Sequence, residues 1–324
     1  RLGGIGILHR NMSIEDQAAE ARRVKRSQSG MISDPVTLGP DASLQEAEDL
    51  MRRFRFSGVP IIDKAGVLVG ILTNRDIRFC EPADFVRPVS DFMTKAPLVT
   101  GNEDTTLAEA QTIIQKHRIE KLPLVDKDGR LVGIITVKDI MKKRDYPDAT
   151  HDDLGRLRVG AAVGVGPDLE DRIEALIKSS IDVVVIDTAH GHTQGVLTAV
   201  RRIKSAWPNL AVIAGNVVTE EGVDALAEVG CDAIKVGVGA GSICTTRVIS
   251  GAGMPQLSAI WYAASRAREL GIPIIADGGV TYSGDIVKAL ASGGSSVMLG
   301  SLLAGTDEAP GEMELFEGRR YKSY

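Results

Sequence analysis

Cysteine and long apolar runs are scarce in this sequence, and an excess of positive charge is lacking. Three cysteines, Cys80, Cys231 and Cys244, lie scattered through 324 residues. That spacing excludes a disulfide framework and shows no zinc-type pairing, so a reducing, cytoplasmic setting is expected. No apolar run approaches the roughly 20 residues of a membrane-spanning helix, and no membrane partner is expected. Lys and Arg number 38 against 43 Asp and Glu, for a net charge of -5 and a pI near 5.7. Nothing in that balance calls for nucleic acid or an anionic membrane surface, so any phosphate site has to be local. No signal-peptide pattern is present; the chain opens at Arg1 inside a glycine-rich apolar stretch and reads as part of a longer polypeptide.

With 44% hydrophobic and 25% charged residues, the chain has the balance of a folded protein long enough for a large core or two domains. From Leu157 onward short apolar runs alternate with amphipathic segments. The runs are "LRVGAAVG", "DVVVID", "AVIAGN", "AIKVGVG", "IPIIADGG" and "SVMLGS". They are rich in Val, Ile and Ala and apolar on both faces, as buried parallel strands are. Between them lie segments such as "PDLEDRIEALIKSS" and "PQLSAIWYAASRARELG", the second stopping at Gly271. Upstream, "GGIGIL" and "SIEDQAAEARRVKRS" add one strand and one helix. The expected fold class is α/β, a (β/α)8 TIM barrel whose first strand precedes Arg1. A doubly wound open sheet is the competing reading, but it normally places its phosphate glycines after the first strand. Here glycines gather after the last three runs.

Residues from about Met31 to Arg144 break this rhythm and repeat internally. "SLQEAEDLMRRFRFSGVPIIDKAGVLVGILTNRDI" aligns with "TLAEAQTIIQKHRIEKLPLVDKDGRLVGIITVKDI", with Pro60 and Pro123, Gly70 and Gly133, Thr73 and Thr136, and Asp76 and Asp139 all 63 positions apart. Each half reads as a helix, a strand after proline, a tight turn, a second strand and a final helix. The insert resembles a tandem pair of cystathionine-β-synthase-type (CBS) domains. By that resemblance Thr73, Asp76, Thr136 and Asp139 bind the ribose of regulatory purine nucleotides; by themselves, Asp76 and Asp139 read as caps of the helices they begin. The expected domains are an N-terminal barrel part (1–29), a tandem CBS module (30–146, repeats about 31–83 and 93–144) and the remaining barrel (147–324). "SQSG" and "RDYPDATHDDLG" have the polar, Gly- and Pro-containing character of hinges.

The chemistry concentrates in "KVGVGAGSICTTR", where glycines crowd around Cys244. The loop follows a strand and so lies at the C-terminal mouth of a barrel, where such enzymes keep their active sites. Glycines there free carbonyls for a cation or N–H groups for a phosphate, and a thiol held in such a loop can act as a thiolate nucleophile. Cys231, after "LAEVG", reads instead as a packing residue. "ADGG" and "LGS", ending the seventh and eighth strands, supply the usual barrel phosphate site, with Asp277 as acceptor for ribose hydroxyls. In "IDTAHGH", Asp187 can serve a second ribose. His190 and His192 lack a third ligand for zinc, and one of them remains open as a general base. Asn216 points into the same mouth.

These motifs, in this order around the insert, resemble those of the inosine-5′-monophosphate (IMP) dehydrogenase and guanosine-monophosphate (GMP) reductase family over essentially the whole chain. Ala240 departs from the family pattern, which has proline there. The resemblance implies that Cys244 attacks the purine ring and that Thr246 helps activate the hydrolytic water. Ser242, Asp277, Gly278, Gly279, Gly300, Ser301 and Tyr324 match IMP-binding positions. Asp187, Thr188, Ala189, Asn216 and Gly237 match the NAD+ side. The carbonyls of Gly239, Gly241 and Cys244 match a K+ site completed by a neighbouring subunit, and a homotetramer is implied. The insert favours the dehydrogenase, because the typical reductase lacks it. The family's mobile flap with an Arg–Tyr pair follows the position of "YKSY", so Arg319, Arg320 and Tyr321 are not that pair. GMP reduction with NADPH, or a nucleotide sensor with an inert barrel, are the alternatives.

Overall fold

The structure is a computed structural model that describes residues 1–27, 35–54 and 56–323. Met31, Tyr324 and the part of "SQSG" after Ser27 lie outside the described residues. The chain forms two compact units: residues 5–23 with 158–324, and residues 1–4 with 24–157.

The chain starts with β1 (Gly6–Leu8) and α1 (Ile14–Ser27). The inserted unit then holds two half-repeats. The first comprises α2 (Leu44–Phe54), β2 (Gly58–Ile62), β3 (Leu68–Thr73) and β4 (Thr94–Lys95). The second comprises β5 (Gly101–Asn102), α3 (Leu107–His117), β6 (Lys121–Val125), β7 (Leu131–Thr136) and α4 (Val137–Asp145). Each half has its own core, one around Leu44, Ile61 and Leu72 and one around Leu122, Leu124 and Ile135. The tight turns are alike: Asp63 Oδ1 accepts the N–H groups of Ala65 and Val67, and Asp126 Oδ1 those of Asp128 and Arg130. The turns also bond each other reciprocally, Leu68 N–H to the Gly129 carbonyl and Leu131 N–H to the Gly66 carbonyl, both at 3.0 Å.

Two expectations for the repeats need correction. The prolines lie within strands rather than ahead of them, Pro60 opposite Ile71 and Pro123 opposite Ile134. The final helix forms only in the second repeat. In the first, Thr73 leads into turns and then two 3-10 segments, Pro82–Val86 and Val89–Asp91. Proline disfavours helical backbone in the residue before it, and Glu81, ahead of Pro82, is extended at φ -88°, ψ 160°. Asp76 therefore caps no α-helix, whereas Asp139 and Thr136 form a full capping box on α4.

The other unit is a seven-stranded, all-parallel sheet. After β1 come β8 (Val159–Val163), β9 (Val183–Asp187), β10 (Ala211–Val217), β11 (Ala233–Val236), β12 (Ile274–Asp277) and β13 (Ser296–Met298), in that spatial order. All seven expected runs form strands, and the sheet is a curled, partial barrel. The connecting helices are α5 (Leu169–Lys178), α6 (Gln194–Ala206), α7 (Glu220–Glu228), the short α8 (Thr246–Ser250), α9 (Gln256–Leu270), α10 (Ser283–Ala291) and α11 (Ser301–Ala304). Helix α6 buries Val196, Ala199, Val200 and Ile203, a one-sided stripe at helical spacing. Helix α9 buries four alanines with Ile260 and stops at Gly271 in the left-handed region. An antiparallel hairpin, β14 (Glu312–Phe316) with β15 (Arg319–Ser323), ends the described chain. No helix among the described residues is long and apolar enough to cross a membrane.

Candidate active site

Strand alternation builds the site floor. On one sheet face Val183 and Val185 of β9, Ile213 of β10, Ala233 of β11 and Ile275 of β12 form an apolar cluster. Two residues further toward the C-terminal ends, the same face carries Asp187, Gly215, Lys235 and Asp277. A polar layer thus rests on an apolar one.

Lys235 is 2% exposed, and its ammonium donates to Asp187 Oδ1 at 2.7 Å and Asp277 Oδ2 at 2.5 Å. Asn216 Nδ2 donates to the same Asp277 oxygen at 2.9 Å and to the Gly237 carbonyl at 2.6 Å. From α9, Gln256 Nε2 donates to the Val236 and Asp277 carbonyls at 3.0 and 3.1 Å, tying β11 to β12 at the mouth. Gly237 sits at φ +141°, and a Cβ there would lie 2.1 Å from the Asp277 carbonyl oxygen. Only glycine fits that crossing. The Asn216 Oδ1 and Gln256 Oε1 atoms are buried without a partner among the described residues.

Above this layer lies a cavity of about 420 Å³, and Ser242, Asp277, Gly278, Gly279, Gly300 and Ser301 all line it. Six of the seven expected substrate positions therefore converge on one cavity; the seventh, Tyr324, is outside the described residues. Cys244 is not among the lining residues, although its neighbours Ser242 and Ile243 are. Its side chain is exposed, with Sγ 3.3 Å from Thr246 Oγ1, the first residue of α8. The Thr246 hydroxyl, joined by the Thr246 and Gly239 backbone and the Arg247 charge, holds the Cys244 thiol below its ordinary range against the opposing effect of burial.

On the expected dinucleotide side, the Thr188 hydroxyl and N–H both donate to the Gly215 carbonyl, and Asn216 N–H donates to the Thr188 carbonyl. Asp187 and Ala189 are exposed, as are His190 and His192. Of the expected cation ligands, the Gly241 carbonyl already accepts the Cys244 N–H at 3.1 Å, and Gly239 has a φ of +78°. In the inserted unit, Asp76 Oδ2 accepts the Thr73 N–H and hydroxyl, and Asp139 Oδ2 accepts those of Thr136. Burial raises the Asp139 carboxyl above its ordinary value, against the opposing hydrogen bonds from Thr136 and the charges of Lys142 and Lys138.

Sequence reasoning missed Lys235 and Gln256. Lys235 had a signal, as the charged residue within the apolar run "AIKVGVG"; Gln256 had none.

The family model described as IMP dehydrogenase / GMP reductase domain matches residues 1–324. The chain belongs to the IMP dehydrogenase/GMP reductase family. Among curated relatives, it is 59% identical to inosine-5′-monophosphate dehydrogenase of Aquifex aeolicus and 56% identical to that of Halalkalibacterium halodurans. Each match covers 100% of this chain and 66% of the relative, so the chain spans about two thirds of their length. Among solved structures, a variant of Trypanosoma brucei GMP reductase in complex with guanosine 5′-monophosphate matches with a TM-score of 0.91 and 39% identity. It covers 99% of this chain and 68% of the reductase. The reductase in complex with guanosine 5′-triphosphate matches at 0.88 and 41%, over 95% of this chain and 74% of its own. This reductase matches across the insert as well, so the insert by itself does not exclude a reductase.

Proposed function

We propose that the protein containing this chain oxidises IMP to xanthosine 5′-monophosphate with NAD+. The observation that carries this reading is the single cavity lined by Ser242, Asp277, the two glycines after it, Gly300 and Ser301, beside an activated Cys244. Backbone N–H groups and hydroxyls at strand ends suit a phosphate, and a carboxylate suits a ribose diol. The Cys244 thiolate adds to carbon 2 of the hypoxanthine ring. The adduct loses hydride from that carbon to NAD+, leaving a thioimidate on sulfur. Water, oriented with the help of Thr246, attacks the same carbon. Carbon–sulfur cleavage then returns the thiolate, with one proton released for each IMP, NAD+ and water consumed.

Asp187, Thr188, Ala189, Asn216 and Gly237 form the dinucleotide side, where the buried Asn216 Oδ1, without a partner among the described residues, suits a ligand donor. The neutral carbonyls of Gly239, Gly241 and Cys244 are hard donors of the kind an alkali cation takes, and K+ there would brace the cysteine loop. We read the sheet as part of a (β/α)8 barrel within a cytoplasmic homotetramer. The inserted unit (30–146) is read as a tandem CBS module binding purine nucleotides near Thr73, Asp76, Thr136 and Asp139; the 63-residue repeat and the paired turns support it.

GMP reductase is the second reading, favoured by the TM-score of 0.91 to a structure of that enzyme. Near-ultraviolet absorbance of the full-length protein separates the two. IMP with NAD+ should raise it as NADH forms; a fall with GMP and NADPH, and no rise with IMP, would establish the reductase instead.

A further inference from the structure

A buried lysine joins the two carboxylates that the proposed function assigns to two different nucleotides. Asp187, Gly215 and Lys235 are register partners on three adjacent strands, β9, β10 and β11. To reach Asp187, the Lys235 side chain crosses β10 at Gly215. A Cβ at 215 would lie 2.8 Å from the Lys235 Cβ and 2.4 Å from its carbonyl oxygen, so the glycine opens the path. From there one ammonium serves both Asp187 and Asp277.

The bonding is one-sided at each carboxylate. Asp187 offers Oδ1 to the lysine, and Asp277 offers Oδ2 to the lysine and to Asn216. The other oxygen of each, Asp187 Oδ2 and Asp277 Oδ1, takes no hydrogen bond among the described residues. Asp187 is half-exposed and Asp277 lines the cavity. Lys235 itself is enclosed and does not line the cavity. One ammonium thus orients two carboxylates while leaving each an outward oxygen for a ligand hydroxyl. A lysine serving only to neutralise buried charge needs neither that split nor a path across a neighbouring strand.

We propose that Lys235 is a positioning residue that couples the substrate and dinucleotide sites, aligning both sugar-binding carboxylates through one cation. This rests on the reading that Asp277 and Asp187 each hold a ribose. The two nucleotides then do not bind independently: displacing one carboxylate shifts the lysine and with it the other carboxylate.

The test uses the full-length protein, with KM and calorimetric affinity measured separately for IMP and NAD+. Turnover of the unaltered protein checks the functional reading first, so its failure is separate from failure here. Lys235→Met should weaken both nucleotides by about tenfold or more, because two carboxylates lose their partner. Asp187→Asn leaves the lysine in place and covers the case in which Lys235→Met does not fold. It should weaken NAD+ and also change IMP affinity by about threefold, though Asp187 faces the dinucleotide side. That cross-effect should vanish when both substitutions are combined, as coupled sites are non-additive. The proposal is overturned if folded Lys235→Met changes only one nucleotide, or loses thermal stability with both KM values intact. It is equally overturned if Asp187→Asn leaves IMP binding unchanged.

Discussion

The two ends of β11 carry the same chemical group in opposite circumstances. At its N-terminal end Cys231 is buried, and its thiol donates to the Ala233 and Val212 carbonyls at 2.8 and 3.3 Å. Burial, the dominant influence, pushes that thiol up to about 11 against lowering interactions with the Ala233 and Ala214 backbone. At the C-terminal end Cys244 is exposed on a glycine-rich loop, and the Thr246 hydroxyl leads the interactions that hold its thiol down. One end of the strand serves packing and the other, in the proposed function, serves reactivity, the division expected of parallel barrel-type sheets. Position on the sheet, not residue type, decides what a cysteine does.

Exchanging the two cysteines for alanine gives the largest expected contrast. Cys244→Ala in the full-length protein should cut IMP oxidation by about a thousandfold or more, because the covalent step is lost. Cys231→Ala should leave steady-state turnover of the folded protein essentially unchanged and lower Tm, since it removes a small buried group. Similar activity losses from both would erase the distinction.

A pH dependence confined to Cys231 is next. Its folded-state value is raised, so its contribution to stability is fully present below the unfolded thiol's value, about 8.5. It is lost as pH rises through the folded value of about 11. The loss amounts to about 3 kcal/mol, read as the difference in urea unfolding between the unaltered protein and Cys231→Ala across that range. An equal alkaline loss in both proteins would contradict this.

Removing the Thr246 hydroxyl probes the other end. Thr246→Val should move the alkylation-rate midpoint of Cys244 to higher pH and slow turnover by about tenfold, without changing Cys231. An unmoved midpoint would mean that the hydroxyl does not stabilise the thiolate.

Deleting the inserted unit should have the smallest effect on chemistry. Turnover of IMP should stay within about threefold, while the response to purine nucleotides disappears; a ligand at 100 times its Kd should no longer give the roughly 2.7 kcal/mol of stabilisation expected with the insert present. Loss of turnover in a folded deletion variant would make the insert part of the catalytic machinery.

The strands were legible because a strand buried on both faces shows as an unbroken Val-, Ile- and Ala-rich run, and β8 and β9 are such strands. The cavity glycines were legible because a mouth that needs free N–H groups and tight crossings must be built from glycine. Lys235 was passed over because its partners lie 48 and 42 residues away in sequence, joined only when strands 9 through 12 align. Gln256 is a helix-start residue like many others until α9 is docked. The missing helix of the first repeat turned on Pro82, which has no counterpart in the second, where Asp145 stands 63 positions later.

The central claim is that Cys244 carries the purine covalently. Acid quenching of the full-length protein during turnover with IMP and NAD+, followed by peptide mass analysis, tests it most directly. The account predicts a purine-nucleotide adduct on the peptide containing Cys244, none on those containing Cys80 or Cys231, and none when NAD+ is left out and the thioimidate cannot form. NADH production with Cys244 unmodified throughout, or an adduct on another cysteine, would contradict it.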